Sequence, residues 1–352
     1  MARRRPLSWL LAPIHVAAVA TGAKSFCDNP IIGSPRLNRA GLHVARIRLA
    51  QRMTEWRRER LGALVGDEDR SAFRRDGFIV KRDFLPAADY RALKQQVVAL
   101  AAPARRQIQG DAMTRRIPLD NKVLASLPAL RAVVESPQWL GLLRYVGSSR
   151  LEPLVYIQTI FAQALPARRD PQTDLHADTF HSSVKAWLFL TDVSAEQGPF
   201  VYVPGSHRMT RRRLAWERRA SLSAAQNPDP ESAHGSLRIT AAAVRRLGFD
   251  EPRVFAVPQN TLIVADTLGF HARGMSAGPS ARLEIWAYGR RNPFLPWLGL
   301  DPAAMPLVKG RAVPLHWSIL DALERLGLGR NPWRPEGVST ALATPDSAIG
   351  QG

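Results

Sequence analysis

The residues that could do chemistry in this sequence centre on a histidine and an aspartate two positions apart. His176 and Asp178 lie in segment 174–181, directly before an apolar stretch, 184–193, that has the character of a β-strand. In extended chain, the side chains at positions i and i+2 leave the same face. An imidazole nitrogen and a carboxylate oxygen can therefore converge on one point. A further histidine from a distant strand would complete a 2-His-1-carboxylate site for ferrous iron.

His271 is the candidate for the third ligand. It follows a predicted strand and a turn, and in a double-stranded β-helix this separation can return it to the side of His176 and Asp178. Three protein ligands would leave positions open for a chelating co-substrate and O₂. Arg282, on the predicted strand 281–288, could hold a carboxylate bidentately. Its alternative is an exposed charge, because alternation alone does not decide which face of that strand is inside.

Four further polar residues could support such a site. Gln158 and Thr159 lie on the predicted strand before the ligand loop, where they could contact a co-substrate or pack in the core. Asp266 precedes His271 by five positions and could orient its ring by a hydrogen bond. Arg273 competes with Arg282 for the anion, but its place two residues after His271 predicts an exposed loop position.

The elements that would position these residues are short strands separated by turns. Alternating, β-branched or aromatic segments lie at 77–80, 155–161, 186–190, 253–257, 261–265 and 281–288. Helices predicted at 86–100 and 127–146 would pack on the outside of the sheet. The expected fold is therefore mainly β with flanking helices, around a double-stranded β-helix core of the jelly-roll, cupin-like kind.

Composition limits the classes of partner. The 352 residues are 45% apolar, which is enough for one large domain with extensions. The single cysteine, Cys27, excludes an intrachain disulfide and a cysteine-rich metal site. Lys and Arg exceed Asp and Glu by 19 (49 against 30), which indicates an acidic partner or a solvated basic surface. Nucleic acid is disfavoured, since the chain has no recognised module and only 7% aromatic residues.

The first 65 residues have a distinct, basic and partly apolar character. Three arginines, 3–5, precede an apolar run, 7–19, that is interrupted by Pro13 and His15. The run resembles a signal peptide, with 18–20 as a candidate cleavage site, and it is too short and broken for a comfortable membrane span. The preferred interpretation is an anchor that lies in the membrane interface.

A basic helix is predicted at 41–64. Its apolar residues recur at helical spacing at Leu42, Ala45, Leu49, Met53 and Trp56, with arginines beside them. Such a helix suits an anionic membrane surface. It is equally typical of a helix that packs on a catalytic domain and keeps its arginines in water.

Several motifs together resemble the phytanoyl-CoA dioxygenase family. They are His176-Ala177-Asp178, the strand and turn 187–193, Gly198-Pro199, Pro204-Gly205-Ser206-His207, His271 with Arg282 beyond it, and Asp76-Gly77-Phe78. The resemblance spans about 70–293 and implies a jelly roll that uses Fe(II), 2-oxoglutarate and O₂. It also implies His176, Asp178 and His271 as iron ligands, with Arg282 on the distal carboxylate of 2-oxoglutarate. Members of the family commonly hydroxylate an unactivated C–H bond.

The chain departs from the family pattern in three places. Gln259-Asn260 stands where the family usually has Gly-Asp, an arginine-rich insertion occupies 208–250, and the first 65 residues lie outside the resemblance. The predicted division is an N-terminal extension, 1–65, a dioxygenase domain, 66–298, that contains the insertion, and a C-terminal extension, 299–352.

Two functions from different classes follow from these patterns. The first is an Fe(II)- and 2-oxoglutarate-dependent dioxygenase that hydroxylates an aliphatic C–H of an anionic lipid or acyl-linked substrate, with a small polar metabolite as the alternative. The substrate prediction rests on the basic N-terminus and the arginines of 211–219. The second is a basic membrane-surface binding protein on a jelly-roll scaffold with an idle metal site. The expected location is the cytoplasm, with the inner face of the membrane as an attachment surface.

Overall fold

A computed structural model describes residues 12–165, 169–299, 305, 308 and 310–345. The arginine cluster 3–5 and the first part of the apolar run lie outside the described residues. The helices of the described chain are α1 (Ala12–Val19), α2 (Pro35–Arg39), α3 (Leu42–Leu61), α4 (Asp67–Asp76), α5 (Ala87–Ala99), α6 (Asn121–Ser126), α7 (Pro128–Val134), α8 (Pro137–Val146), α9 (Arg211–Ser223), α10 (Pro230–Ala233), α11 (Ala241–Leu247) and α12 (Ala312–Arg325).

The strands of the described chain are β1 (Phe78–Lys81), β2 (Ala101–Gln109), β3 (Ala112–Pro118), β4 (Leu154–Ala162), β5 (Val184–Phe189), β6 (Phe200–Tyr202), β7 (Arg253–Phe255), β8 (Leu262–Asp266), β9 (His271–Arg273), β10 (Ser280–Gly289) and β11 (Arg334–Thr340). They form an eight-stranded sheet in the order β1-β8-β5-β10-β4-β3-β2-β11 and a three-stranded sheet in the order β7-β6-β9. The paired strands are antiparallel.

The two sheets bury aromatic side chains against each other. The ring of Trp187, on β5, lies 4.3 Å from that of Phe200, on β6, and the ring of Phe78, on β1, lies 5.0 Å from that of Phe255, on β7. Full burial of such side chains contributes roughly 1.5–3 kcal/mol each. The expectation of a mainly β, jelly-roll core with flanking helices is confirmed.

Helices α5, α7 and α8 cover the outer face of the large sheet, where their leucines and Trp139 join one apolar cluster with the residues of β5, β8 and β10. The single helix expected at 127–146 is two helices. Ser136 interrupts it, because its hydroxyl accepts a hydrogen bond from the amide of Trp139 at 3.2 Å and Pro137 begins α8. Both features are typical of a helix start.

The described part of the C-terminal extension contains a strand, β11. Strand β11 pairs with β2, which places Val338 opposite Pro103 at the edge of the large sheet. A buried ion pair fastens it, since the guanidinium of Arg115 lies 2.7 Å from the carboxylate of Glu336. The described part of the C-terminal extension therefore adds a strand to the large sheet.

Helix α3 forms as predicted, but it packs through a different face. The predicted apolar stripe points partly to solvent, with Leu49 46% exposed. The residues that the helix buries are His43, Arg46, Ile47, Ala50, Thr54, Arg57 and Leu61. Two arginines therefore face the domain. Among the described residues, no helix combines the length and apolar character needed to cross a bilayer.

The hydrogen bonds of Arg57 show how a basic side chain is stabilised in the protein interior. It is 1% exposed, and its guanidinium donates to the carbonyl oxygens of Ser148 at 2.9 Å, Pro293 at 3.1 Å and Leu295 at 2.7 Å. Burial lowers the pKa of Arg57 to about 9, so the group stays charged at neutral pH. One side chain thus satisfies carbonyl groups of two distant loops and joins α3 to them.

Replacing Arg57 should destabilise the fold. In Arg57→Ala, three carbonyl groups would lose their donor, and we expect the free energy of unfolding to fall by roughly 2–4 kcal/mol. Urea denaturation followed by circular dichroism measures this. Arg52→Ala, at an exposed position of the same helix, should change the value by less than about 0.5 kcal/mol. Equal effects of the two substitutions would contradict a structural role for Arg57.

Candidate active site

The two candidate histidines are brought together by their own backbones. The amide of His176 donates to the carbonyl of His271 at 2.9 Å, and the amide of His271 donates to the carbonyl of His176 at 2.9 Å. The amide of Asp178 donates to the carbonyl of Thr267 at 3.0 Å. The ligand loop is therefore paired directly with the segment between β8 and β9, which closes a large separation in sequence.

The side chains of His176, Asp178 and His271 converge on one point. Each ring donates from Nδ1 to a carbonyl oxygen, His176 to Asp174 at 2.7 Å and His271 to Gly269 at 2.9 Å. Since a carbonyl only accepts, both Nε2 atoms carry lone pairs. Each Nε2 lies 3.6 Å from Oδ1 of Asp178.

These three donor atoms fit a metal ion. The ligand atoms of His176, Asp178 and His271 lie within 4.8 Å of one another. The Nε2 of His271 is buried and has no hydrogen-bond partner among the described atoms. A buried, unpartnered lone pair is costly unless something binds it. Two imidazole nitrogens and one carboxylate oxygen are the donor set that suits non-haem Fe(II).

The electrostatics favour the ligating forms of these groups. Burial lowers the pKa of His176 to about 4, and His271 adds to the effect, so the ring is neutral at pH 7. Burial alone would raise the pKa of Asp178, but Lys185, His271 and His176 hold it well below its usual value. The ammonium of Lys185 lies 2.6 Å from Oδ2 of Asp178.

Asp266 does not take the role that its position suggested. Its carboxylate is fully buried and lies 2.7 Å from the guanidinium of Arg58, on α3, and it accepts a hydrogen bond from the hydroxyl of Ser182 at 2.8 Å. A buried carboxylate needs such a counter-charge. The ring of His271 is oriented by the Gly269 carbonyl instead. Asp266 thus ties α3 to the strand that leads into the site.

Arg282 lies on the inner face of β10 and is 6% exposed. Its Nε donates to the carboxylate of Glu284 at 2.9 Å, and its Nη1 donates to the carbonyl of Gly198. Arg282 lines the same cavity as the three candidate ligands. These two contacts hold the guanidinium in place before any anion arrives.

Gln158 and Thr159 lie on opposite faces of β4. Gln158 lines the cavity, where its amide oxygen accepts from Nε of Arg116 at 2.7 Å and its amide nitrogen donates to Glu284 at 2.5 Å. The structure does not bring Thr159 to the cavity, because neighbouring strand residues alternate in direction. The Thr159 hydroxyl donates to the carbonyl of Ala341 at 2.7 Å and so fastens the C-terminal extension.

The cavity has a volume of about 410 Å³ and is strongly basic. Its lining contains six cationic side chains: Lys24, Arg116, Lys185, Arg273, Arg282 and Arg290. Arg273 was expected in an exposed loop. It lies instead on β9 and pairs with Asp170 at 2.6 Å. Of the other five cations, the sequence patterns identified Arg282 alone. The others lie on segments that are far apart in the chain, and no local pattern shows that these segments meet at one cavity.

Arg116 is enclosed by aromatic rings. Its guanidinium lies 3.9 Å from the ring centre of Trp286, 4.3 Å from that of Trp333 and 4.9 Å from that of Tyr156. Burial lowers the pKa of Arg116 to about 10, so it is a cation at neutral pH. Trp333 belongs to the C-terminal extension, which therefore forms one wall of the cavity.

The arginine-rich insertion does not reach the cavity. No described residue of 208–250 lines it. Arg213 is fully buried and pairs with Glu217 at 3.0 Å, and Glu217 also contacts His43 at 3.0 Å. Arg211 is exposed on α9. The insertion thus packs against the N-terminal helices, and the cluster 211–219 lends no charge to the site by contact.

Residues 73–243 match the family described as phytanoyl-CoA dioxygenase (PhyH). The resemblance that the motifs indicated is confirmed. His176 and Asp178 lie within the matched segment, and His271 and Arg282 follow it. Among curated proteins, no relative of this sequence was found.

Several solved structures are similar to this chain. The epimerase SnoN from nogalamycin biosynthesis, in complex with Fe3+, alpha ketoglutarate and nogalamycin RO, is 16% identical, with a TM-score of 0.40, over 69% of this chain and 91% of SnoN. HygX from Streptomyces hygroscopicus, with nickel and 2-oxoglutarate bound, is 18% identical, with a TM-score of 0.38, over 64% and 87%. EctD from S. alaskensis, with bound Fe, is 18% identical, with a TM-score of 0.38, over 64% and 76%.

Three buried histidines make the stability of the metal-free protein depend on pH. Burial lowers the pKa of His176 and His207 to about 4 and that of His181 to about 3. Below pH 6.5 these three imidazoles are protonated in the unfolded chain but stay neutral in the folded chain. The free energy of unfolding should therefore fall as the pH drops from about 6.5 to about 4, by up to about 1.4 kcal/mol per pH unit for each histidine.

Urea denaturation at a series of pH values measures this slope. His207→Gln removes one of the three groups without touching the candidate ligands, so its slope should be shallower than that of the unsubstituted protein. A stability that stays constant or rises between pH 6.5 and pH 4 would contradict the buried, neutral state of these rings.

Proposed function

We propose that this protein is an Fe(II)- and 2-oxoglutarate-dependent oxygenase. The observation that carries the proposal is the convergence of His176, Asp178 and His271, with both Nε2 atoms 3.6 Å from one carboxylate oxygen, beside Arg282 in a single cavity. An enzyme of this kind agrees with the family of residues 73–243.

Each residue of the site has a distinct proposed role. His176, Asp178 and His271 would hold the metal. Arg282 would bind the distal carboxylate of 2-oxoglutarate through the guanidinium N–H groups that Glu284 and the Gly198 carbonyl do not occupy. The bound Fe(II), with 2-oxoglutarate and O₂, supplies the oxidising chemistry. Gln158 orients Glu284 and so keeps Arg282 in place. Thr159 has no proposed contact with the co-substrate, because it lies on the other face of β4.

The substrate is proposed to be an anionic small molecule that is hydroxylated at an aliphatic C–H. Support comes from the excess of cationic over acidic side chains around the cavity and from its volume of about 410 Å³, which is usual for small-molecule sites. A lipid or acyl-linked substrate and attachment to an anionic membrane surface stay predictions from the sequence. A membrane-binding protein with an idle metal site is the alternative that the next experiments separate.

Metal and co-substrate binding can be tested without a known substrate. Anaerobic addition of Fe(II) and 2-oxoglutarate should give a weak visible charge-transfer band. Asp178→Ala should abolish the band, because it removes the one anionic ligand. Asp174→Asn changes an exposed carboxylate in the same loop and should keep the band. A well-folded protein without the band would argue for the idle scaffold, and a band that survives in Asp178→Ala would contradict the assignment of Asp178 as a ligand.

Arg282 can be tested by the affinity for 2-oxoglutarate. Arg282→Gln should raise the dissociation constant of 2-oxoglutarate about ten- to hundredfold, since a charge-assisted bond contributes roughly 1.5–3 kcal/mol. Titration of the band, or calorimetry with Mn(II) in place of iron, gives the constant. Arg91→Gln, at an exposed position of α5, is the matched control. An unchanged constant in Arg282→Gln would assign the co-substrate carboxylate to another cation.

A further inference from the structure

A short segment of the N-terminal extension, which we call the N-terminal strap (residues 20–27), lies against the active site. Arg46, on α3, binds it along one side. Its Nη2 donates to the carbonyls of Thr21 at 3.0 Å and Ala23 at 2.7 Å, and its Nε donates at 3.0 Å to the carbonyl of Val19, which directly precedes the strap. Arg46 is 5% exposed, so the contact is built into the fold.

The opposite side of the N-terminal strap is held as well. Arg290 donates to the carbonyl of Gly22, and the amide of Phe26 donates to the carbonyl of Ala233 at 2.9 Å. Gly235 has a φ of +86°, and a Cβ there would lie 2.2 Å from the carbonyl oxygen of Lys24. Such close approach on both sides fixes the path of the strap.

Lys24, in the N-terminal strap, lines the cavity. Its ammonium donates to the backbone carbonyl of Asp178 at 2.6 Å, and the side chain lines the cavity together with Arg290. A cation from the N-terminal extension thus lies beside a candidate iron ligand.

The cations of the cavity are only partly neutralised. Three are paired with carboxylates: Lys185 with Asp178, Arg273 with Asp170 and Arg282 with Glu284. Within the described chain, no carboxylate forms an ion pair with Lys24 or Arg290. Bound Fe(II) and 2-oxoglutarate carry opposite charges of equal size and leave this excess in place. An anionic group that entered the cavity would therefore meet two cations that are not paired with a carboxylate of the described chain.

We propose that Lys24 and Arg290 form a subsite for an oxyanion group, carboxylate or phosphate, of the substrate, with the N-terminal strap as a wall of the active site. That the bound anion belongs to a substrate rests on the proposed oxygenase function. The anion-binding subsite itself depends only on the strap and Arg290. Lys24 offers an ammonium and Arg290 a guanidinium, and both groups favour oxyanions. Because the strap is fixed before binding, little conformational entropy is lost when the anion arrives.

Anion titrations test the subsite. The full chain, loaded anaerobically with Fe(II) and saturating 2-oxoglutarate so that Arg282 is occupied, is titrated with inorganic phosphate and, separately, with acetate by calorimetry. We expect saturable binding of at least one probe. Lys24→Gln and Arg290→Gln should each weaken it tenfold or more, whereas Lys24→Arg should stay within about threefold. The stronger probe identifies the oxyanion.

Matched controls exclude a general effect of charge or folding. Lys122→Gln and Arg91→Gln each remove one exposed cation and should leave probe affinity unchanged. Rescue by Lys24→Arg, together with an unchanged melting temperature, excludes collapse of the strap. Equal probe affinity in Lys24→Gln and the unsubstituted protein, or no probe binding at all, would overturn the subsite.

The same titration without metal and 2-oxoglutarate separates the two proposals. Phosphate or acetate binding that depends on Lys24, in a protein that gives no charge-transfer band, would preserve the subsite and reject the oxygenase. A normal band with probe affinity that is independent of Lys24 would reject the subsite and preserve the oxygenase.

Discussion

Two reciprocal backbone hydrogen bonds, between His176 and His271, are the contact on which the site depends. They bring together a loop before β5 and the first residue of β9, and they fix both rings before any ion binds. The carbonyls of Asp174 and Gly269 then select the tautomer of each ring. The donor set is therefore preorganised by the main chain, and the cost of arranging it is met during folding.

Pairing of buried charges organises the rest of the cavity. Arg116, Gln158 and Glu284 lie opposite one another on three adjacent strands, β3, β4 and β10. Hydrogen bonds run along this row from one guanidinium through the amide to the carboxylate, and from there to Arg282. Since an arginine only donates and a carboxylate only accepts, the orientation of the amide is determined. The row aligns two cations that would otherwise repel each other.

Both extensions pack against the central domain and contribute to the cavity. Helix α3 contributes Arg46 and Arg57, whose buried guanidinium groups bind carbonyls of the strap and of distant loops. The C-terminal extension contributes Trp333 and the strand β11. Both predicted extensions therefore contribute side chains to the lining of the cavity, Lys24 from one and Trp333 from the other.

The sequence by itself determined the parts that depend on local spacing. The His176-x-Asp178 pair and the alternation of β4 and β10 follow from neighbouring residues, and the family motifs follow from their order. Tertiary structure alone decided that Lys24 and Trp333 meet at one cavity and that α3 buries arginines. The reason is physical: a buried guanidinium is stable only where carbonyl or carboxylate acceptors converge on it, and those acceptors come from segments far apart in the chain.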